Sequence, residues 1–177
     1  MHGSDTQNGP LFGETGHAFP PENWLGILAA LIRLLTMSSP LKPIIVVYSD
    51  DSEVRQSIVA ALGKKVASDL PEHHIEEFAT GPAFRSYIDR KSVSGNLRAD
   101  LFILDGEAVP EGGMGIARQL KDEIFNCPPV LLITGRREDA WLAAWSRAEA
   151  SVIHPIDPFT LANTVANLMR TRAVATA

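Results

Sequence analysis

The 177-residue sequence has a single cysteine, a shortage of cationic side chains and no apolar run long enough to cross a bilayer. Cys127 alone cannot form an intramolecular disulfide or a multi-cysteine metal cage. The 16 lysines and arginines are outnumbered by 21 aspartates and glutamates, which gives a net charge of −5. The chain therefore lacks the cation excess that neutralises a phosphate backbone. We expect a cytoplasmic protein that binds no nucleic acid.

The apolar stretch near the N terminus is too short for a membrane span, which needs about 20 apolar residues. Residues 1–22 are rich in glycine, proline and polar side chains and are predicted to form a disordered arm. Residues 23–37 predict a short apolar helix, and no signal-peptide pattern accompanies it. Three interpretations stay open for this helix: docking on the domain, weak contact with a membrane surface, and upstream sequence ahead of a true start at Met37.

A regular alternation of apolar runs and amphipathic segments occupies residues 42–171. The runs predict strands at Ile44–Tyr48, Ile75–Phe78, Leu101–Leu104, Val130–Ile133 and Ser151–Ile153. Helical spacing follows each run, and the segment between the fourth and fifth strands predicts a helix from Asp139 to Arg147. The last helix is predicted to end near Arg170, before a tail at 172–177. Apolar strands that alternate with helices indicate a doubly wound α/β domain around a parallel sheet of five strands. With so short a tail, we expect no attached effector domain.

Polar residues follow the predicted strands, at the edge where such sheets bind ligands. Ser49, Asp50 and Asp51 follow the first strand, and Asp105 follows the third. Carboxylates gathered at one edge repel one another unless a cation neutralises them. Oxygen ligands of this kind suit Mg²⁺, so the sequence predicts a magnesium site. Two further polar residues follow the fourth and fifth strands at the same edge, Thr134 and His154.

The segments VVYSDDSEVR, LFILDGE, VLLITGR and VIHPIDP resemble the receiver domain of two-component response regulators. The resemblance covers roughly Lys42 to Arg170, and the wider wording is similar to the stand-alone receiver-like proteins of actinobacteria. It implies a flavodoxin-like receiver fold, a phosphorelay signalling role rather than an enzymatic one, and Mg²⁺ as cofactor. It also implies a sensor histidine kinase as phosphodonor and an unidentified protein target for output.

The resemblance assigns roles to individual residues. Asp105 becomes the phosphoacceptor and a metal ligand, and Asp50 becomes the acidic metal ligand of the first strand. The backbone carbonyl of Glu107 is a third expected ligand, and Thr134 takes the position of the switch hydroxyl. Asp51 is a further candidate ligand, although an N-cap of the next helix is the role we favour. For Thr134 the alternative is likewise a helix cap.

Several positions depart from the receiver pattern. Ser49 replaces a second acidic residue, Ser151 replaces the switch aromatic, and His154 replaces the lysine before the fifth-strand proline. His154 either pairs with phosphate when protonated or is a structural histidine at the pocket rim. The loop GEAVPEGGMG is about two residues longer than usual. These departures keep open a pseudo-receiver that acts as a phosphorylation-independent interaction module. A small Asp-nucleophile phosphatase is remote, because Glu107 stands where its second aspartate belongs.

The segment AWLAAW places Trp141 and Trp145 one helical turn apart on an almost wholly apolar helix. One interpretation packs the tryptophans on the core or on the added N-terminal helix. The other makes the helix a partner interface, because exposed aromatic patches mark binding sites. A homodimer through this helix is a further expectation. No P-loop, nucleophile elbow or dinucleotide fingerprint occurs in the sequence, so nucleotide enzymes and serine hydrolases are not supported.

Overall fold

The computed structural model describes residues 42–93 and 98–176. The elements run β1 (Ile44–Tyr48), α1 (Ser52–Leu62), β2 (His74–Phe78), α2 (Gly81–Val93), β3 (Leu101–Asp105), α3 (Gly113–Glu123), β4 (Val130–Thr134), a 3₁₀ turn (Arg137–Asp139), α4 (Ala140–Trp145), β5 (Ala150–Ile153) and α5 (Pro158–Thr176). The predicted strands are confirmed to within one residue at each end. The predicted arm at 1–22 and apolar helix at 23–37 lie outside the described residues.

The five strands form one parallel sheet in the order β2-β1-β3-β4-β5. This order confirms the predicted doubly wound, flavodoxin-like α/β fold. Every residue of β3 and β4 is buried, which is why these strands appear in the sequence as uninterrupted apolar runs. The next strand after β1, β2, lies on one side of it, whereas β3, β4 and β5 lie on the other side. This change of side opens a crevice at the carboxyl ends of β1 and β3.

Two apolar layers hold the helices against the sheet. On one face α1 and α5 pack through Ile58 and Val165 against β-strand residues such as Ile103. On the other face α2, α3 and α4 cover a cluster that includes Tyr48 and Phe102. Within the described residues, no helix is long and apolar enough to span a membrane.

The prediction that the last helix ends near Arg170 is wrong. Helix α5 continues to Thr176, so most of the predicted tail at 172–177 is helical. The sequence there has no glycine or proline to stop the helix, and alanine is the best helix former. Arg170 also binds Asp69 with two hydrogen bonds of 2.8 and 2.9 Å, which anchors the distal part of α5 to the rest of the domain.

Helix α4 is shorter than the predicted span from Asp139 to Arg147. It covers six residues, from Ala140 to Trp145, after a separate 3₁₀ turn. Arg147 adopts a positive φ of 61°, a conformation incompatible with continued right-handed helix.

Candidate functional site

An open pocket of about 450 Å³ lies at the carboxyl ends of β1, β3, β4 and β5. Parallel strands all end at this edge, so residues far apart in the sequence meet here. The pocket brings together most of the predicted site residues. Its lining consists of Asp50, Asp51, Val54, Asp105, Glu107, Gly135 and His154. Thr134 lies immediately before Gly135 and is itself 2% exposed.

Asp105 is the central carboxylate of the pocket. It is the last residue of β3 and is only 3% exposed. Each carboxylate oxygen accepts one hydrogen bond: Oδ2 from Ser49 Oγ at 2.7 Å and Oδ1 from the backbone N–H of Glu107 at 2.9 Å. Both donors are neutral, so they orient the carboxylate without cancelling its charge.

The positive charge around Asp105 is weak. His154 Nε2 lies 4.0 Å from Asp105 Oδ1, and the imidazole is charged only when protonated. Within the described part of the chain, no lysine or arginine forms an ion pair with Asp105. A buried carboxylate without a firm cationic partner favours binding of an external cation.

The two aspartates after β1 have separate roles in the geometry. Asp51 Oδ1 accepts a hydrogen bond of 2.7 Å from the backbone N–H of Glu53 and caps α1, as the favoured interpretation predicted. Asp50 is exposed at the pocket wall. Because one oxygen of Asp51 is already used by the helix, Asp50 is the better candidate ligand.

The oxygen atoms in the pocket fit Mg²⁺ in chemical type. Asp50 and Asp105 supply carboxylates, and the loop after Asp105 supplies backbone carbonyls, which are the hard ligands this ion prefers. In residues 42–93 and 98–176, no three histidine, cysteine or acidic side chains form a ready cage. Magnesium usually retains several waters and binds through one or two carboxylates, so an incomplete protein shell is compatible with it.

Similarity to a known protein shows the family to which this chain belongs. The chain is 53% identical over 129 residues to a Mycobacterium tuberculosis protein named as an uncharacterized response regulatory protein, in strains CDC 1551 / Oshkosh and H37Rv. The match covers 73% of this chain and 92% of the relative. The chain belongs to the response regulator family. No profile of a known protein family matches the sequence.

Solved receiver structures share the fold. The signal receiver domain of a putative LuxO repressor protein from Vibrio parahaemolyticus superposes with a TM-score of 0.61 at 19% identity, covering 77% of this chain and 96% of that one. The chemotaxis response regulator CheY4 of Vibrio cholerae gives a TM-score of 0.56 at 18% identity, with coverages of 72% and 98%. A receiver protein from Burkholderia phymatum gives 0.57 at 24% identity, with coverages of 73% and 96%.

The β4–β5 side of this response regulator carries two of the departures from the receiver pattern, Ser151 and His154. Ser151 pairs with Leu132 in the sheet register, and its side chain is exposed. The backbone N–H of His154 donates to Thr134 O at 2.9 Å, which brings His154 beside the buried threonine. Ser151 and His154 therefore lie on the β5 side of the domain, whereas the third altered residue, Ser49, lies at the end of β1 and donates to Asp105.

The tryptophans of α4 do not pack in the core. Trp141 is 67% exposed and Trp145 is 51% exposed. The guanidinium of Arg118 lies 5.7 Å from the Trp145 ring centroid and donates to Trp145 O at 3.1 Å. Core packing of the tryptophans is therefore wrong. Their packing on the predicted helix at 23–37 concerns residues outside the described part of the chain, and the partner interface stays a prediction.

One contact of the site was missed by the sequence analysis. The Glu107 side chain folds back over the pocket, and its Oε1 accepts a hydrogen bond from the Gly135 backbone N–H at 3.2 Å. A Cβ at residue 135 would lie 2.9 Å from this carboxylate, so a larger residue there would displace the Glu107 side chain. No sequence pattern signals it, because the contact joins two loops 28 residues apart.

Proposed function

We propose that the chain is a response-regulator receiver that accepts a phosphoryl group on Asp105 in the presence of Mg²⁺. Its family membership supports a role in two-component signalling. The observation that carries the finer proposal is the state of Asp105: a buried carboxylate, oriented by Ser49 and the Glu107 amide, that opens on a pocket containing Asp50. Such a carboxylate is held in place for nucleophilic attack.

In the proposed reaction, an Asp105 oxygen attacks the phosphorus of a phosphohistidine on a sensor histidine kinase. The P–N bond breaks, a P–O bond forms, and the departing imidazole takes up a proton. Mg²⁺, held by Asp50, Asp105 and the Glu107 carbonyl, would supply charge neutralisation for the transferred group. Thr134 would donate its hydroxyl to the phosphoryl oxygens, and protonated His154 would add a positive charge beside them.

The signal leaves through protein contacts, and the candidate surface is the α4 helix with Trp141 and Trp145. Exposed aromatic side chains of this kind are enriched at binding surfaces. The partner is a protein target, or a second copy of the chain in a homodimer through this helix. The net charge of −5 disfavours nucleic acid as a ligand.

A pseudo-receiver is the second candidate function. It is favoured by Ser49, where receivers place a second acidic residue, and by the changes at Ser151 and His154. In that case the same fold binds a partner constitutively, and Asp105 stays unmodified.

Intact-mass measurement after incubation with a small phosphodonor and Mg²⁺ distinguishes the two functions. The receiver is expected to gain the mass of one phosphoryl group, whereas the pseudo-receiver gains none. Asp105→Asn should abolish the gain. Asp50→Asn should raise the Mg²⁺ concentration required, because it removes a ligand.

Asp51→Asn is the matched control, because Asp51 caps α1 at the same pocket without contacting Asp105. It should leave the mass gain largely intact. A gain that survives in Asp105→Asn contradicts the assignment of the acceptor.

A further inference from the structure

The loop between β3 and α3, residues 106–112, carries the Glu107 amide that binds Asp105. At its start, the N–H of Glu107 donates to Asp105 Oδ1 at 2.9 Å, and the N–H of Ala108 approaches Asp105 O at 3.4 Å. These two contacts form a local turn at the start of the loop. The residues that follow keep their backbone freedom unless contacts at the far end of the loop restrain them.

Glu111 fixes the far end of the loop through two separate contacts. Its backbone carbonyl accepts a hydrogen bond of 2.7 Å from Tyr48 Oη. Its carboxylate forms an ion pair and a hydrogen bond with the guanidinium of Arg85 in α2. Arg85 also holds the pKa of Glu111 below its usual range, so the carboxylate stays ionised into the acidic range.

Both partners of Glu111 stand on rigid parts of the domain. Tyr48 is the last residue of β1 and is fully buried, with its ring centroid 5.6 Å from that of Phe84. Phe84 is 1% exposed and directly precedes Arg85, so the base of the arginine is anchored in the core.

Two glycines leave space at the two ends of this arrangement, one beside the Glu111 carboxylate and one beside the Asp105 backbone. A Cβ at Gly81, the first residue of α2, would lie 2.5 Å from Glu111 Oε2. A Cβ at Gly113, where α3 begins, would lie 2.6 Å from the backbone oxygen of Asp105. A side chain at residue 81 would displace the Glu111 carboxylate from its place beside Arg85, and one at residue 113 would press on the backbone of Asp105.

We propose that Arg85 and Glu111 are positioning residues of the Asp105 site, which hold loop 106–112 so that the Glu107 backbone faces Asp105. The kinetic consequence rests on the proposed phosphoryl transfer; the structural consequence does not. Without the pair, the loop samples other conformations, and the Glu107 amide and carbonyl are misplaced at the acceptor. Misplacement of these groups lowers the affinity for Mg²⁺ and the rate of the reaction without unfolding the protein.

The pair is suited to positioning rather than to global stability. The side chains of Arg85 and Glu111 are 36% and 32% exposed, and ion pairs as exposed as this add little to folding free energy. A variant that breaks the pair should therefore keep its melting temperature but lose order in the loop.

The test compares Arg85→Ala and Glu111→Gln with wild type by amide hydrogen exchange in the absence of phosphodonor. We expect the Glu107 and Ala108 amides to exchange about tenfold faster in both variants, with unchanged exchange in β3 and β4. With phosphodonor, the apparent Mg²⁺ affinity of the mass gain should fall about three- to tenfold. Arg85→Lys keeps the positive charge, so its amide exchange rates and its apparent Mg²⁺ affinity should lie closer to those of wild type.

Arg118→Ala is the matched control, since Arg118 and Asp122 form a comparably exposed ion pair on α3, outside the loop. It should change neither measurement. Wild-type exchange at Glu107 in both Arg85→Ala and Glu111→Gln, or an equal acceleration in Arg118→Ala, overturns the proposal. If wild type gains no phosphoryl mass, the proposed function fails, whereas the exchange measurement still decides whether the pair positions the loop.

Discussion

The two sides of the pocket differ in how firmly the fold holds them. The acceptor side, formed by Ser49, Asp50 and Asp105 at the ends of β1 and β3, is built around a buried carboxylate with a hydrogen bond on each oxygen. The response side consists of β5 and α4; two of the four β5 residues are exposed, and α4 has only six residues with both tryptophans in solvent.

Under the proposed function, this difference would separate receipt of the signal at Asp105 from its transmission through α4. The acceptor side has the order that nucleophilic chemistry requires, whereas the response side has an open surface and no aromatic at residue 151 to carry a change across β5. We therefore expect a protein that is modified efficiently but changes its binding surface little.

The largest expected effect is on folding stability when each side loses one serine hydroxyl. Ser49→Ala leaves a buried Asp105 oxygen without its donor, which should cost about 1–3 kcal/mol of unfolding free energy. Ser151→Ala removes an exposed hydroxyl and should cost less than about 0.5 kcal/mol. Urea denaturation measures both values, and equal losses would show that the two sides are held alike.

The next effect concerns positive charge beside Asp105. His154→Lys places a permanent cation where the structure has an imidazole 4.0 Å from Oδ1, and should speed phosphorylation at pH 8 about three- to tenfold. His154→Gln keeps polarity without charge and serves as the control. Rates are followed by intact mass at fixed Mg²⁺; a lysine variant no faster than the glutamine variant would contradict a charge role for residue 154.

A smaller effect is expected from Glu107, whose carboxylate occupies the Gly135 amide and adds negative charge to the pocket. Glu107→Ala should be phosphorylated about two- to fivefold faster. The variant has no carboxylate to repel the incoming phosphoryl group or to occupy the Gly135 amide. Glu107→Gln should fall between the alanine variant and wild type. Slower phosphorylation of both variants would indicate that the carboxylate assists the reaction instead.

The smallest expected effect is the change that the proposed phosphorylation would cause on the response side. Amide exchange in β5 and α4 should differ by less than about twofold between modified and unmodified protein. Ser151→Tyr, which restores an aromatic at the switch position, should enlarge the difference. A large response in wild type would show that the coupling does not need an aromatic at residue 151.

The fold was predictable largely because the central strands β1, β3 and β4 are buried on both faces, and such strands appear in the sequence as continuous apolar runs. Because parallel strands end at the same edge of a sheet, the sequence also predicted that Asp50, Asp105 and His154 share one pocket. The preference of aspartate for helix N-caps predicted the capping role of Asp51. The contacts of Glu107 and Glu111 were not predictable. They depend on the path of one loop, and Arg85 lies 26 residues from Glu111 in sequence.

The two errors in helix length have a common cause. Helix ends are set by local stop signals and by tertiary contacts, and the sequence has no glycine or proline directly after α4 or within residues 170–177. Helix α5 continues because nothing stops it and Arg170 binds Asp69, whereas α4 ends early because Arg147 takes a positive φ. Amphipathic periodicity alone determines neither end.

The serine at residue 49 also changes how folding depends on its ionic surroundings. A second carboxylate packed against Asp105 would couple folding to metal, because the unneutralised pair would repel in the native state. The Ser49 hydroxyl instead donates to Asp105 Oδ2, so the native state forms with a hydrogen bond on this oxygen and without a second negative charge beside it. Any ion then adds only its own binding free energy, so we expect the domain to stay folded at low magnesium concentration.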